Sequence, residues 1–160
     1  LSLAKGIKTT VETHKTLSTD LIGTWELLTR EDQTHAGERR IDPSLGERPV
    51  GLVIFDKQGN FAAQFMKRER GAVREAEAAN LPANNSRARG GYDAYFGTYK
   101  VDDSTGIVTT LLAGALSPDN VGQVFTRAMS VAGDELTIRL ETTSVGGEAI
   151  RRTLRWKRVG

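Results

Sequence analysis

Three arginines stand in the second half of this chain where the pattern calls for apolar side chains. Arg127 shares a phase with Phe125, Met129 and Val131, while Arg152 and Arg158 share one with Ile150, Leu154 and Trp156. A guanidinium among apolar neighbours is costly unless it is paired or hydrated. Each therefore marks an ion pair, a stacking contact or the polar pole of a site. Tyr92, Tyr95, Phe96 and Tyr99 supply apolar faces, three with a phenol handle, which suits a planar or polyketide-like guest. Core and girdle packing accounts for the same aromatics, and both readings stand. Tyr95 and Tyr99 share a phase with Gly97 and Phe96 opposes them, without fixing which side faces in. Gln64 and Met66 share a phase on another extended segment, where an amide orients a carbonyl or hydroxyl and a thioether fits irregular shapes.

Other chemistries are poorly served. The chain has no cysteine, which excludes disulfides, thiolate metal sites and cysteine nucleophiles. That leaves the compartment unset but removes the usual argument for secretion, so a cytoplasmic location is the default expectation. His14 and His35 lie in an N-terminal arm and a polar loop, without metal-ligand spacing or a nucleophile partner, so both read as surface residues and no metal is expected. No phosphate-cradling glycine pattern is present, and no cofactor is expected. Gly23, Gly51 and Gly97 read instead as sites of bending or close strand approach.

The 22 basic residues are nearly balanced by 20 acidic ones, for a net charge of +2. Arg68, Arg70 and Arg74 alternate with Glu69, Glu75 and Glu77, which reads as a solvated surface and not a nucleic-acid stripe. No apolar run reaches the roughly 18–20 residues that span a bilayer, so no membrane partner is expected either. Homo-oligomerisation is left open.

The elements that would position these residues are extended. Residues 1–19 read as an arm with at most one helical turn, and 20–160 as one domain. Over 20–30, Leu21, Gly23, Trp25 and Leu27 alternate with Thr24, Glu26 and Arg30, the mark of a half-buried strand. Residues 31–48 read as a long polar loop. Strands follow over 50–56 and 60–67, joined as a hairpin, and then over 92–101, 106–115, 122–131, 135–143 and 148–159. The helix formers at 70–80 predict a short helix, ended by Asn80 and Pro82, between the third and fourth strands. It would cap a mouth ringed by Lys67, Arg68, Arg70, Arg87 and Arg89, either drawing an anionic ligand or serving as a solvated lid. About eight strands with short links and no βαβ alternation predict an all-β, antiparallel up-and-down barrel, just large enough to be filled or to hold one small ligand.

The residues then resemble a known family. Gly23-Thr24-Trp25 is similar to the G-x-W signature of the calycin superfamily. The span from Leu21 to Val159 resembles the bacterial and fungal lipocalin-like domain family, most strongly at Ala94-Tyr95-Phe96-Gly97-Thr98-Tyr99-Lys100-Val101-Asp102 and at Leu154-Arg155-Trp156-Lys157-Arg158-Val159. The resemblance implies an eight-stranded barrel with one open end. It also implies a tryptophan plug, Trp25, braced by a basic residue of the last strand, a part that Arg158 fits. The T-D-Y motif of secreted lipocalins is absent, and Thr109-Thr110-Leu111-Leu112 lacks the histidine that some relatives carry.

Two functions fit. One is binding of a small hydrophobic or amphipathic metabolite, with Phe125, Met129, Leu136 and Ile138 lining the interior and Arg127 or Arg152 meeting a polar end. The alternative is a cofactor-independent cyclase or isomerase for a polyketide- or terpenoid-like substrate, relying on orientation and on a tyrosine, Gln64 or an arginine to stabilise developing charge. The surroundings of Arg127 and Arg152 discriminate between them. Carboxylate-paired arginines are structural, and an unpaired donor beside a tyrosine on a deep pocket favours chemistry.

Overall fold

The computed structural model describes residues 16–70 and 88–160, so the helix expected at 70–80 falls almost wholly outside the described residues. One helical turn, α1 (Leu17–Asp20), precedes the strands β1 (Gly23–Thr34), β2 (Arg39–Arg40), β3 (Val50–Phe55), β4 (Asn60–Met66) and β5 (Tyr92–Asp102). The strands β6 (Ile107–Ala115), β7 (Val124–Ala132), β8 (Glu135–Thr143) and β9 (Ala149–Arg158) follow, with a 3₁₀ turn at Pro118–Asn120. Each long strand pairs antiparallel with the next, and β9 returns to β1, from Trp25↔Arg158 to Thr34↔Ile150. The result is a closed eight-stranded up-and-down barrel, with β2 added beside the far end of β1. Closure leaves no long edge exposed.

Side-chain alternation sends one phase of every strand inward. On β8, Leu136, Ile138 and Leu140 are buried, and on β9 so are Ile150, Arg152, Leu154 and Trp156. The polar segment expected over 31–48 is partly strand, because β1 continues to Thr34. Within it, Leu27 pairs with Trp156 and Thr29 with Arg155, leaving Leu28 as an extra residue that is exposed to solvent. A bulge of one residue reverses the parity of all that follows. Arg30, expected on the polar side with Thr24 and Glu26, is therefore turned inward, and Asp32 with it. A second register shift lies between β5 and β6, where Phe96 faces Gly114 and Gly97 faces Leu112. A Cβ on Gly97 would run into the Leu111 carbonyl oxygen, so only glycine permits that close approach.

One end is closed around Trp25, which is fully buried and donates its indole N–H to the Leu21 carbonyl at 2.9 Å. Arg158 lies over the indole, 4.2 Å from the ring centroid, and donates to the Ile22 and Asp20 carbonyls at 2.8 and 2.6 Å. Gly23 has φ +144°, and a Cβ there would meet Arg158 Nη1 and the Gly160 carbonyl at 2.6 Å. The guanidinium thus combines stacking with forked donation to the chain entering β1. Arg158→Lys keeps the charge and loses the flat fork. Its expected cost is about 1–2 kcal/mol in a urea titration, and an unchanged midpoint would show that the stack contributes nothing.

Candidate functional site

The inward phase does not fill the barrel. A cavity remains with about 80 Å³ of space for the centres of water-sized spheres, room for about five to seven waters or one ring-sized guest. Its apolar wall comes from successive inward positions: Phe55 on β3, Phe61, Ala63 and Phe65 on β4, Phe125 and Met129 on β7, Ile138 and Leu140 on β8, and Leu154 and Trp156 on β9. Ala63 is a small residue between two phenylalanines of the same phase, and that difference in volume helps keep the space open. Phe65 meets Trp156 edge-on at 5.5 Å and Tyr95 at 6.2 Å, fixing the aromatic part of the wall.

Arg30, Tyr95, Thr110, Arg127 and Arg152 also line the space, and the three arginines lie near enough to Tyr95 to act on its ionisation. Arg152 makes a two-pronged pair with Asp32, Nε to Oδ1 at 2.7 Å and Nη2 to Oδ2 at 3.0 Å, and reaches Asp42 at 3.5 Å. Arg30 donates to Asp42 at 3.0 Å. Asp42 also accepts from the backbone N–H and hydroxyl of Ser44, at 2.9 and 2.6 Å. All four charged residues are buried. Burial opposes Asp42's charge, but Arg30, Ser44 and Arg152 together hold its carboxyl below the usual range. Burial draws Arg30 down, and the like charge of Arg152 adds to that against the two aspartates.

Arg127 is different. It is half-buried, its Nη1 donates to the Thr126 carbonyl at 2.9 Å, and its guanidinium carbon lies 5.0 Å from the Phe125 ring centroid. Among the described residues no carboxylate pairs with it. Burial lowers its pKa, with Tyr95 opposing and Arg152 adding to the effect. Burial, and then the nearby Asp93, push Tyr95 up to about 12, so its phenol stays protonated as a donor. Asp93, two residues before Tyr95 on the same face, is fully buried, with no hydrogen-bond partner for either oxygen. Burial raises it to about 7, against the neighbouring Ala94 N–H and then Arg30.

The structure brings Tyr95, Phe125, Arg127, Met129, Ile138 and Arg152 together on the cavity wall. It does not bring Gln64 and Met66 there. On β4 the buried phase is Phe61, Ala63 and Phe65, so Gln64 and Met66 face outward, where Gln64 accepts from the Tyr92 hydroxyl at 2.7 Å. Tyr99 does face in, but towards the Trp25 end. It packs edge-on against Phe55 and donates to the Asp56 carbonyl at 2.6 Å. Leu136 is buried in the core and does not border the space. Asp32, Asp42 and Asp93 were not anticipated. Asp93 precedes the recognised aromatics in phase with Tyr95, which was the available signal.

A family model described as a lipocalin-like domain matches residues 22–159. The chain belongs to the lipocalin-like domain family. Comparison with curated proteins gives no match. Membership accounts for the meander of eight long strands and the hollow inside it. In this lipocalin-like chain the interior has two distinct polar features, a paired arginine–aspartate quartet and a single arginine beside a tyrosine.

Proposed function

We propose that this lipocalin-like barrel binds a small hydrophobic or amphipathic metabolite in its interior. The supporting observation is the cavity wall, aromatic and aliphatic over most of its area, with Arg30, Arg127 and Arg152 near Tyr95. Such a distribution suits a guest with an apolar body and one polar end. The modest free space limits the guest to one ring or a short chain, or to the inserted end of something longer.

Native mass spectrometry of freshly purified protein tests the reading. It expects a small extra mass on the folded protein that denaturation releases, and a variant that takes up less of it. Ala63→Leu projects methyl groups into the space between Phe61 and Phe65, and is expected to abolish uptake at a cost in stability of no more than about 1–3 kcal/mol. Equal uptake by both proteins would place the guest elsewhere.

A second reading, a cofactor-independent cyclase or isomerase, rests on Arg127 and Tyr95 as donors bordering the same space. It would make the guest a substrate polarised at a carbonyl. Conversion of the co-purified molecule to an isomer of equal mass distinguishes it from simple binding.

A further inference from the structure

We propose that the guest is a small monocarboxylate, held through its acidic group by the guanidinium of Arg127 and the hydroxyl of Tyr95. This rests on the interior-binding reading and adds the charge of the ligand.

The charges along the cavity are not all paired. Arg30 and Arg152 face Asp32 and Asp42 in a buried quartet joined by contacts of 2.7 to 3.5 Å. Two positive and two negative groups leave that quartet neutral. Arg127 stands outside it, and among the described residues no carboxylate pairs with it; the remaining buried carboxyl, Asp93, feels Arg30 and not Arg127. A half-buried cation against an apolar wall is stabilised by a partner of opposite charge. Its contact with the Thr126 carbonyl occupies a single N–H, and the face of Phe125 at 5.0 Å is a weak substitute for an anion. A guanidinium has five N–H groups in a flat fork matched to carboxylate geometry.

Tyr95 supplies a second donor. Its ring is fixed by Phe61 at 6.1 Å and Phe65 at 6.2 Å, and its hydroxyl has no hydrogen-bond partner among the described residues. Tyr95 and Arg127 are close enough to affect each other's ionisation. The Tyr95 hydroxyl and the remaining N–H groups of Arg127 therefore lack acceptors among the described residues and border a space whose wall is mostly apolar. A carboxylate with an apolar body satisfies both, whereas a neutral hydrocarbon leaves both unanswered.

The amount of charge is bounded as well. Asp93 is buried near Tyr95, and Asp32 and Asp42 lie beyond Arg30 and Arg152. With the quartet closed on itself, Arg127 is one cation and one negative charge answers it, which argues for a monoanion.

Phenylacetate and phenylacetamide make a matched pair of probes, equal in shape and different in charge, with toluene as a neutral control. Calorimetric titration at neutral pH is expected to show phenylacetate binding wild-type protein at least tenfold more tightly than phenylacetamide. Arg127→Gln is expected to reduce that ratio to near one while toluene binds both proteins alike. Arg127→Lys, which keeps the charge and loses the fork, should retain part of the preference. Equal affinity of wild-type protein for acid and amide, with toluene still bound, would overturn the monocarboxylate and leave the interior-binding reading intact. Failure of all three probes to bind would overturn both.

Discussion

Asp32→Ala is expected to destabilise the barrel by about 3–5 kcal/mol, the usual cost of removing one partner from a buried ion pair. The large effect comes from what remains. Arg152 is 3% exposed, and without Asp32 it would keep only the 3.5 Å approach to Asp42, which already answers Arg30. Two buried guanidinium groups would then share one carboxylate. The quartet also ties together β1, β9 and the loop carrying Asp42, so its loss loosens the barrel where β1 continues past its bulge. Urea denaturation measures the change. Replacing Asp32 and Arg152 together by leucine should recover most of the loss, because desolvation is then no longer required. A single-variant cost below about 1 kcal/mol would mean that water already reaches the quartet.

The second large effect is a pH dependence carried by Asp93. The carboxyl has an ordinary pKa of 3.8, and burial raises it to about 7 in the folded protein, Arg30 offsetting part of the rise. Below about pH 4 the group is protonated in both states and costs nothing extra. As the pH rises from 4 towards 7, the unfolded chain releases the proton first, so stability falls. Above 7 the full penalty applies, about 4 kcal/mol for a shift of this size. The groups that bear on the carboxyl are the Ala94 N–H and Arg30, which favour its charge, and Tyr95, which remains neutral below about pH 12. Asp93→Asn removes the titration. The stability of the variant relative to wild type should therefore improve by about 2–4 kcal/mol between pH 4 and pH 8. Thermal or urea unfolding across that range checks it, and parallel curves for the two proteins would show that Asp93 ionises normally.

The strands were legible because each inward set is apolar and each turn has suitable residues. Leu136, Ile138 and Leu140 alternate strictly with Thr137, Arg139 and Glu141, and the buried pattern of β8 follows them. The arginines in apolar phase also pointed to the interior, and Arg127 and Arg152 both border the cavity. What was not legible depended on single residues that shift register. Leu28 is apolar and looks like any strand residue, yet as the bulge it turns Arg30 and Asp32 inward. Asp42 lies in what reads as a polar loop, and only the closed barrel brings it back to Arg30. On β4 both phases carry apolar side chains, with Phe61, Ala63 and Phe65 against Ala62 and Met66. The two phenylalanines outweigh the methionine in buried area, a comparison that places Gln64 outside. Tyr95 and Tyr99 point inward in phase with the buried Gly97, a direction that only the closed barrel sets.

Titration of wild-type protein and Ala63→Leu with toluene, followed through methyl resonances, tests the hollow interior most directly. Wild-type protein is expected to give saturable shifts confined to Met129, Ile138, Leu140 and Leu154, all of which border the space, and Ala63→Leu should give none. The contrary result is an absence of saturation, or the same shifts in both proteins centred on outward side chains such as Ile54 and Leu111. In that case the barrel interior admits no guest.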